Sequence, residues 1–449
     1  MSFEDVRLRL LGQLDAVDSP DSAMAFQQML ADELRMAEAD LDPDARWHAH
    51  LLRLMGDALA GKLLSRHTIR ELARDGRRPA TLAGQGASFD FVLDIARRIA
   101  GDGVVPVVAD LTHLIGVGDI IAVTSNAISI IECKNRTPPP GWTMRGRHWR
   151  QQQRTRSAAS YLTVGHTADD QTRKTRVALD VDEPRRHEDA LRDCVEQARG
   201  NSLKVAIAPL GQRDYLVAVW HRELDEAAWK DVLPPVGHDE WRYPVFAGSG
   251  TAVDNPSPFT MNPYALPLPA DVRLALADCD VLVFRLVDLG LLEFEETTDS
   301  GRLAIEVYKK GGGHHLRASL DGTPLELSPR FVEQVLWDFR SVADTRSMLV
   351  ETLEVITGTG ATEQGDVAAA SPEVPTMASF AYRDPGGSDE PVLVSQMGEL
   401  ANIGVSVPFE GLAEVAARAG DDELRIRGVL TPREHGWVMD LDDVNQPCQ

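Results

Sequence analysis

The sequence predicts an α/β protein: a mixed sheet flanked by helices, preceded by a helical region and followed by an α+β region. Three observations lead there. The first 80 or so residues space their apolar side chains at helical intervals. Between 104 and 134 short runs rich in Val and Ile, bounded by Gly, Asn and Pro, take over, which is strand grammar. From there to 222 strand-like and helix-like runs alternate, as in a single α/β domain.

Taken in order, Phe3 to Val17 is the first predicted helix. A second opens at Asp21 or Ser22, a third follows Pro43, and a fourth ends at Gly76. Residues 89–100 (FDFVLDIARRIA) form another, stopped by Gly101-Asp102-Gly103. Then come VVPVVADLTH and a hairpin of GDIIAVTS and AISIIECK turning near Ser125-Asn126. A basic helix is expected at 146–162, a strand at RVALDV, a helix at HEDALRDCVEQAR, and strands at LKVAIAPL and DYLVAVW. Beyond 222 the chain mixes a Pro-rich stretch, strands around VLVFRLV and LAIEVYK, and one long helix, FVEQVLWDFRSVADTRSMLVETLEVI. The tail carries strand-like pieces and a helix at FEGLAEVAARA. The predicted organisation is a helical region at 1–84, an α/β domain at 85–222, an α+β domain at 223–357, a linker at 358–375 and a small α+β region at 376–449.

Composition narrows the function. The chain has 449 residues, 69 acidic against 46 basic side chains and a net charge of -23. No apolar run approaches the ~20 residues of a membrane helix, and the N-terminus lacks a signal peptide's basic and apolar regions. Four scattered cysteines form no CxxC pair, which argues against a zinc site and fits a reducing cytoplasm. The acidity disfavours a protein that grips nucleic acid with its whole surface.

The chemistry concentrates in 116–136, GVGDIIAVTSNAISIIECKNR. Asp119 begins one predicted strand, and Glu132-Cys133-Lys134 end the next. A hairpin brings those ends together, and a period of two turns Glu132 and Lys134 to one face. Two converging carboxylates suit a hard divalent cation, and a neighbouring lysine can orient a water and offset charge at a phosphate. Of seven lysines, only Lys134 has an acid two residues before it.

This arrangement resembles the PD-(D/E)xK nuclease superfamily, the restriction-endonuclease-like fold. The resemblance covers about 85–222 and implies a metal, Mg²⁺ or Mn²⁺, held by Asp119, Glu132 and the backbone carbonyl of Cys133, with Lys134 activating the water. Gly118 stands where the motif has proline. Glu71, Asp90 and Asp94 are the candidates for an upstream helical acid.

The segment after the motif sharpens the charge argument. From Asn135 to Ala168 there is no acid and six arginines, which leaves -29 for the rest of a chain whose total is -23. On a helix Arg147, Arg150, Gln151 and Arg154 share one face. With Arg145 they form a candidate nucleic-acid contact, since arginine forks suit phosphate and Trp142 or Trp149 can stack on a base.

Other signals carry less. Gly56-Asp-Ala-Leu-Ala-Gly61-Lys62-Leu63 nearly spells a phosphate loop but lacks its Ser or Thr and reads as helix. Gly311-Gly-Gly-His314-His315 reads as a hairpin turn rather than a metal pair. Glu293, Glu295 and Glu296 read as a solvated edge, and Cys133 as a small apolar residue on the core side.

The expectation is therefore a cytoplasmic metal-dependent endonuclease acting on nucleic acid, DNA before RNA, in prokaryotic restriction or anti-phage defence. The rival is a catalytically inactive nucleic-acid-binding or assembly subunit that keeps the fold and docks a protein partner or a second copy through its acidic C-terminal regions.

Overall fold

A computed structural model describes residues 2–74, 79–124, 127–134, 147–164, 185–220, 241–298, 301–310, 313–358, 376–383, 391–397, 402–408, 412–419, 422–433 and 436–441. It is a mixed α/β protein with N-terminal helices and largely antiparallel sheets flanked by helices. The chain divides into two compact units: Met1–Leu11 with Val177–Ala368, and Gly12–Arg176 with Ala369–Gln449. The segment expected as one domain, 85–222, is thus shared between them.

Five helices lead: α1 Phe3–Asp15, α2 Pro20–Ala39, α3 Ala45–Leu63, α4 Arg66–Glu71 and α5 Ala87–Gly101. Helix α2 starts just ahead of the predicted Asp21 or Ser22. Ser19 caps it by accepting the Ser22 amide, and Pro20 occupies the first turn, where its missing N–H costs nothing. The phosphate-loop-like stretch lies inside α3, as expected. Strand β1 Val105–Val108 pairs antiparallel with β2 Ile120–Val123, and β2 with β3 Ile128–Lys134. Helix α6 Arg147–Val164 follows. Ile115, Val117, Ile121, Ile128 and Ile130 bury against Ala158, Ala159 and Leu162 of α6, so the basic helix is anchored by its apolar face. The expected strand RVALDV lies outside the described residues.

In the 177–368 unit, α7 Glu188–Gly200 packs on a four-stranded antiparallel sheet of β4 Val205–Gly211, β5 Asp214–Trp220, β6 Pro244–Gly248 and β7 Val281–Asp288, ordered β4-β5-β7-β6. Helices α8 Ser249–Asp254 and α9 Ala270–Ala277 lie between β6 and β7 in sequence. A second sheet joins β8 Phe294–Thr298, β9 Gly301–Lys310, β10 Gly313–Leu320 and β11 Thr323–Glu326. His314 and His315 sit on β10 beside Lys309 and Tyr308, in a hairpin as predicted.

The single long helix expected from Phe331 is two, α10 Arg330–Trp337 and α11 Val342–Gly358. Phe339 adopts φ +50, which no helix accommodates. The break is fixed by Arg340, buried and donating to Asp338 at 2.8 Å, and by the Phe339 carbonyl, which accepts the His187 amide.

After residue 375 all six described elements are strands: β12 Thr376–Arg383, β13 Pro391–Met397, β14 Asn402–Pro408, β15 Leu412–Ala419, β16 Asp422–Arg433 and β17 Gly436–Leu441. The expected helix FEGLAEVAARA is therefore corrected to β15, paired antiparallel on both sides. Its run of Ala, Val and Leu satisfies either period, and ladder pairing decides. These strands form a meander that joins the N-terminal hairpin, because β12 pairs in parallel with β3. The result is a nine-stranded sheet with β3 in its interior.

Candidate active site

The site forms where β2 begins and β3 ends. Asp119 precedes β2 in a tight bend, and Gly118 before it has φ +79. A side chain there meets the Ile130 methyl: a Cβ on Gly118 would lie 2.7 Å from Ile130 Cγ2. Proline, fixed near φ -65, cannot adopt this bend, whereas glycine can.

The bend extends the ladder. The Asp119 amide donates to the Ile131 carbonyl at 2.7 Å, and the Asp119 Oδ2 accepts the Cys133 amide at 2.6 Å. Glu132 is 4% exposed, and its Oε2 accepts from Lys134 Nζ at 2.8 Å. Burial, then the charge of Glu132, push the Asp119 carboxyl up to about 7, against the opposing pull of Lys134 and the Cys133 amide. Two acids thus meet one ammonium in a water-poor setting, an excess of negative charge that a divalent cation would relieve. Asp119 and Glu132 would be the carboxylates available to hold such an ion. Among the described residues no three His, Cys, Asp or Glu side chains are grouped to hold a metal. Burial raises the Cys133 thiol well above its usual range, so it is no thiolate nucleophile.

Helix α6 closes over the pair. Gln151 and Thr155, one turn apart, face Lys134 and Glu132: Lys134 Nζ lies 3.5 Å from Gln151 Oε1, and Thr155 Oγ1 lies 3.3 Å from Glu132 Oε1. Gln151, expected to contact nucleic acid with the arginines, is turned toward Lys134. Thr155, fully buried, was not legible as a site residue, although its i, i+4 relation to Gln151 marks the shared face. Arg150 is exposed and Arg154 half-buried. Arg147 begins α6, and Arg145 and Trp142 lie outside the described residues.

Each of the three helical acids named as upstream candidates pairs with an arginine. Asp90 pairs with Arg35 at 2.5 Å, Asp94 with Arg97, and Glu71 with Arg70. The further carboxylate whose charge reaches Asp119 is Asp110, itself held by Arg74 at 3.2 Å and Gln85 at 3.0 Å. Asp110 belongs to a turn that bonds directly to the site, because the Ala109 amide donates to the Asp119 carbonyl at 2.9 Å.

Helix α3 grips that turn. Asp57 Oδ1 accepts the His113 and Leu114 amides at 2.9 and 3.0 Å. Gly56 lies so close that any Cβ would enter the Leu111 carbonyl oxygen. Burial pushes the Asp57 carboxyl up to about 8 and lowers the His113 imidazole to about 3, so both are neutral at pH 7.

No family model, curated protein or solved structure matches this chain.

Proposed function

We propose that this protein is a metal-dependent phosphodiester hydrolase with a restriction-endonuclease-like core, an endonuclease whose substrate is nucleic acid, DNA before RNA. The observation that carries the reading is the junction of Asp119, Glu132 and Lys134 at one end of the β2–β3 hairpin, buried and short of positive charge. A bound Mg²⁺ or Mn²⁺ would supply Lewis-acid polarisation of the phosphoryl oxygen and a more acidic water. Asp119 and Glu132 would hold it, with the Cys133 carbonyl as a further oxygen donor.

Lys134 Nζ lies at this junction, tethered by Glu132 and Gln151. From there it donates to the attacking water and offsets charge gathering on the phosphate. The water oxygen bonds to phosphorus as one ester bond breaks; the water gives up a proton to solvent and the departing alkoxide takes one from solvent, so protons balance. Arg150 and Arg154 on α6 lie on the helix that covers the site, where they steer a phosphate backbone toward it. Restriction or anti-phage defence in a prokaryotic cytoplasm is the biology such an activity serves. Among the described residues no helix is long and apolar enough to cross a membrane.

The test is cleavage of plasmid and linear DNA and of RNA with Mg²⁺ or Mn²⁺. Wild type cuts at least one, while Asp119→Asn and Lys134→Ala lose at least about 10²-fold in rate and retain binding. Wild-type protein that binds but cuts nothing with either metal overturns the enzyme and leaves the non-catalytic subunit.

A further inference from the structure

The 177–368 unit carries an open pocket of about 770 Å³, within the size range of small-molecule sites, that shares no lining residue with the candidate active site. Its polar floor is internally neutralised. Asp214 lines it, but both carboxylate oxygens are taken by Arg285, at 2.9 Å from Nε and 2.6 Å from Nη2. Arg285 is wholly buried, and its Nη1 donates to the Val335 and Arg340 carbonyls at 2.6 Å each. The floor is therefore rigid and offers no net charge to a ligand.

The remaining lining has three kinds of chemistry. Leu291 and Val350 supply apolar wall. The His187 ring makes no hydrogen bond among the described residues, and burial, then Arg285, lower its pKa. It presents a neutral donor and acceptor, the complement of a heterocycle's edge. Arg346, exposed, lays its guanidinium over the Phe294 ring at 5.1 Å, and Glu351 is half-buried on the same helix, both lining the pocket. A guanidinium stacked on an aromatic ring is held flat with its fork free for a phosphate. A carboxylate accepts hydroxyl hydrogens.

We propose that this pocket binds a nucleoside 5′-phosphate, with the base among the apolar walls and against His187, the phosphate on Arg346 and the ribose hydroxyls on Glu351. The same chemistry is offered by a free nucleotide and by the 5′-phosphorylated end of a strand. The site stands whether or not the chain is a nuclease.

Calorimetry on the full chain in EDTA, which silences any metal-dependent cleavage, tests it. At least one of AMP, GMP, CMP and UMP binds with Kd below about 1 mM. The matching nucleoside without phosphate binds at least about tenfold more weakly, as does Arg346→Glu, while Arg346→Lys is intermediate. Arg346 is exposed, so circular dichroism matching wild type verifies that the variants fold. A 5′-phosphorylated tetranucleotide that competes, or that binds alone and is lost in Arg346→Glu, identifies a strand end as the occupant; absence of competition identifies the free nucleotide. No binding of any of the five probes at about 5 mM, or Arg346→Glu binding like wild type, overturns the proposal.

Discussion

The Asp119 carboxylate accepts the amide hydrogen of Cys133 at 2.6 Å, so the acid of one strand is bonded to the backbone between the acid and the lysine of the next. The site is a continuation of the β2–β3 ladder rather than an attachment to it. Removing that carboxylate therefore has a structural effect separable from its chemistry. Asp119→Ala leaves the Cys133 amide unsatisfied and lowers stability by about 1–3 kcal/mol, whereas Asp119→Asn keeps an acceptor and melts near wild type. Denaturant titration of the two variants checks this.

Gln151 and Thr155 hold Lys134 and Glu132 from α6. Gln151→Ala and Thr155→Val each reduce metal-dependent turnover or metal affinity by about 10- to 100-fold, with Thr155→Ser close to wild type. Isothermal titration with Mn²⁺ alongside the cleavage assay separates loss of binding from loss of turnover. Far-ultraviolet dichroism stays unchanged.

Glycine is required at two positions for different reasons. Gly56→Ala pushes α3 against the Leu111 carbonyl, and Gly118→Ala adds a clash with Ile130 to a positive φ. Each costs about 1–3 kcal/mol. Gly61→Ala, on the same helix with open space around it, is neutral or slightly stabilising. Thermal melts of the three rank them.

Asp57 sets a pH dependence. Its carboxyl is raised to about 8 in the fold, with Arg53, Arg74 and the His113 and Leu114 amides pulling the other way. The folded state therefore binds a proton that the unfolded chain releases near its ordinary carboxylate pKa. This contribution is fully present below that value and declines as pH rises toward about 8. His113, lowered to about 3, acts oppositely and loses stability as pH falls from about 6.5 toward 3. Asp57→Asn keeps an acceptor for both amides and cannot ionise. Its melting temperature exceeds the wild type's at pH 9, and the difference vanishes near pH 4.

Arg150 and Arg154 predict the salt sensitivity of nucleic-acid binding. Replacing both with alanine weakens binding across sequences and lowers the slope of log K against log salt by about 1.8 for duplex DNA. Anisotropy titrations from 50 to 300 mM salt (roughly the range in which such slopes are read) measure it.

The hairpin and the meeting of its end residues were legible because both are local. Gly118, Asp119, Glu132 and Lys134 lie within 17 residues, and strand periodicity alone assigns their faces. What supports them was not legible, because it comes from elsewhere in the chain. Asp57 reaches a turn more than fifty residues on, and nothing in its own neighbourhood distinguishes it from a solvated helix acid. Gln151 sits on a face of arginines, so spacing grouped it with them, while its side chain is drawn to Lys134. At FEGLAEVAARA local propensity favoured helix, and pairing with β14 and β16 overrode it. The long helix broke because Phe339 takes a left-handed conformation that no local pattern announces.

The parallel pairing of β12 with β3 has a consequence for the order of events at the ribosome. Residues 128–134 emerge long before residues 376–383, the segment that shields their outer edge. During that interval β3 presents bare amides and carbonyls, the state most open to stray strand pairing. The interior position of Glu132 and Lys134 is acquired only after the 177–368 unit has been translated, so the hairpin is born unfinished and its completion is a late step in maturation.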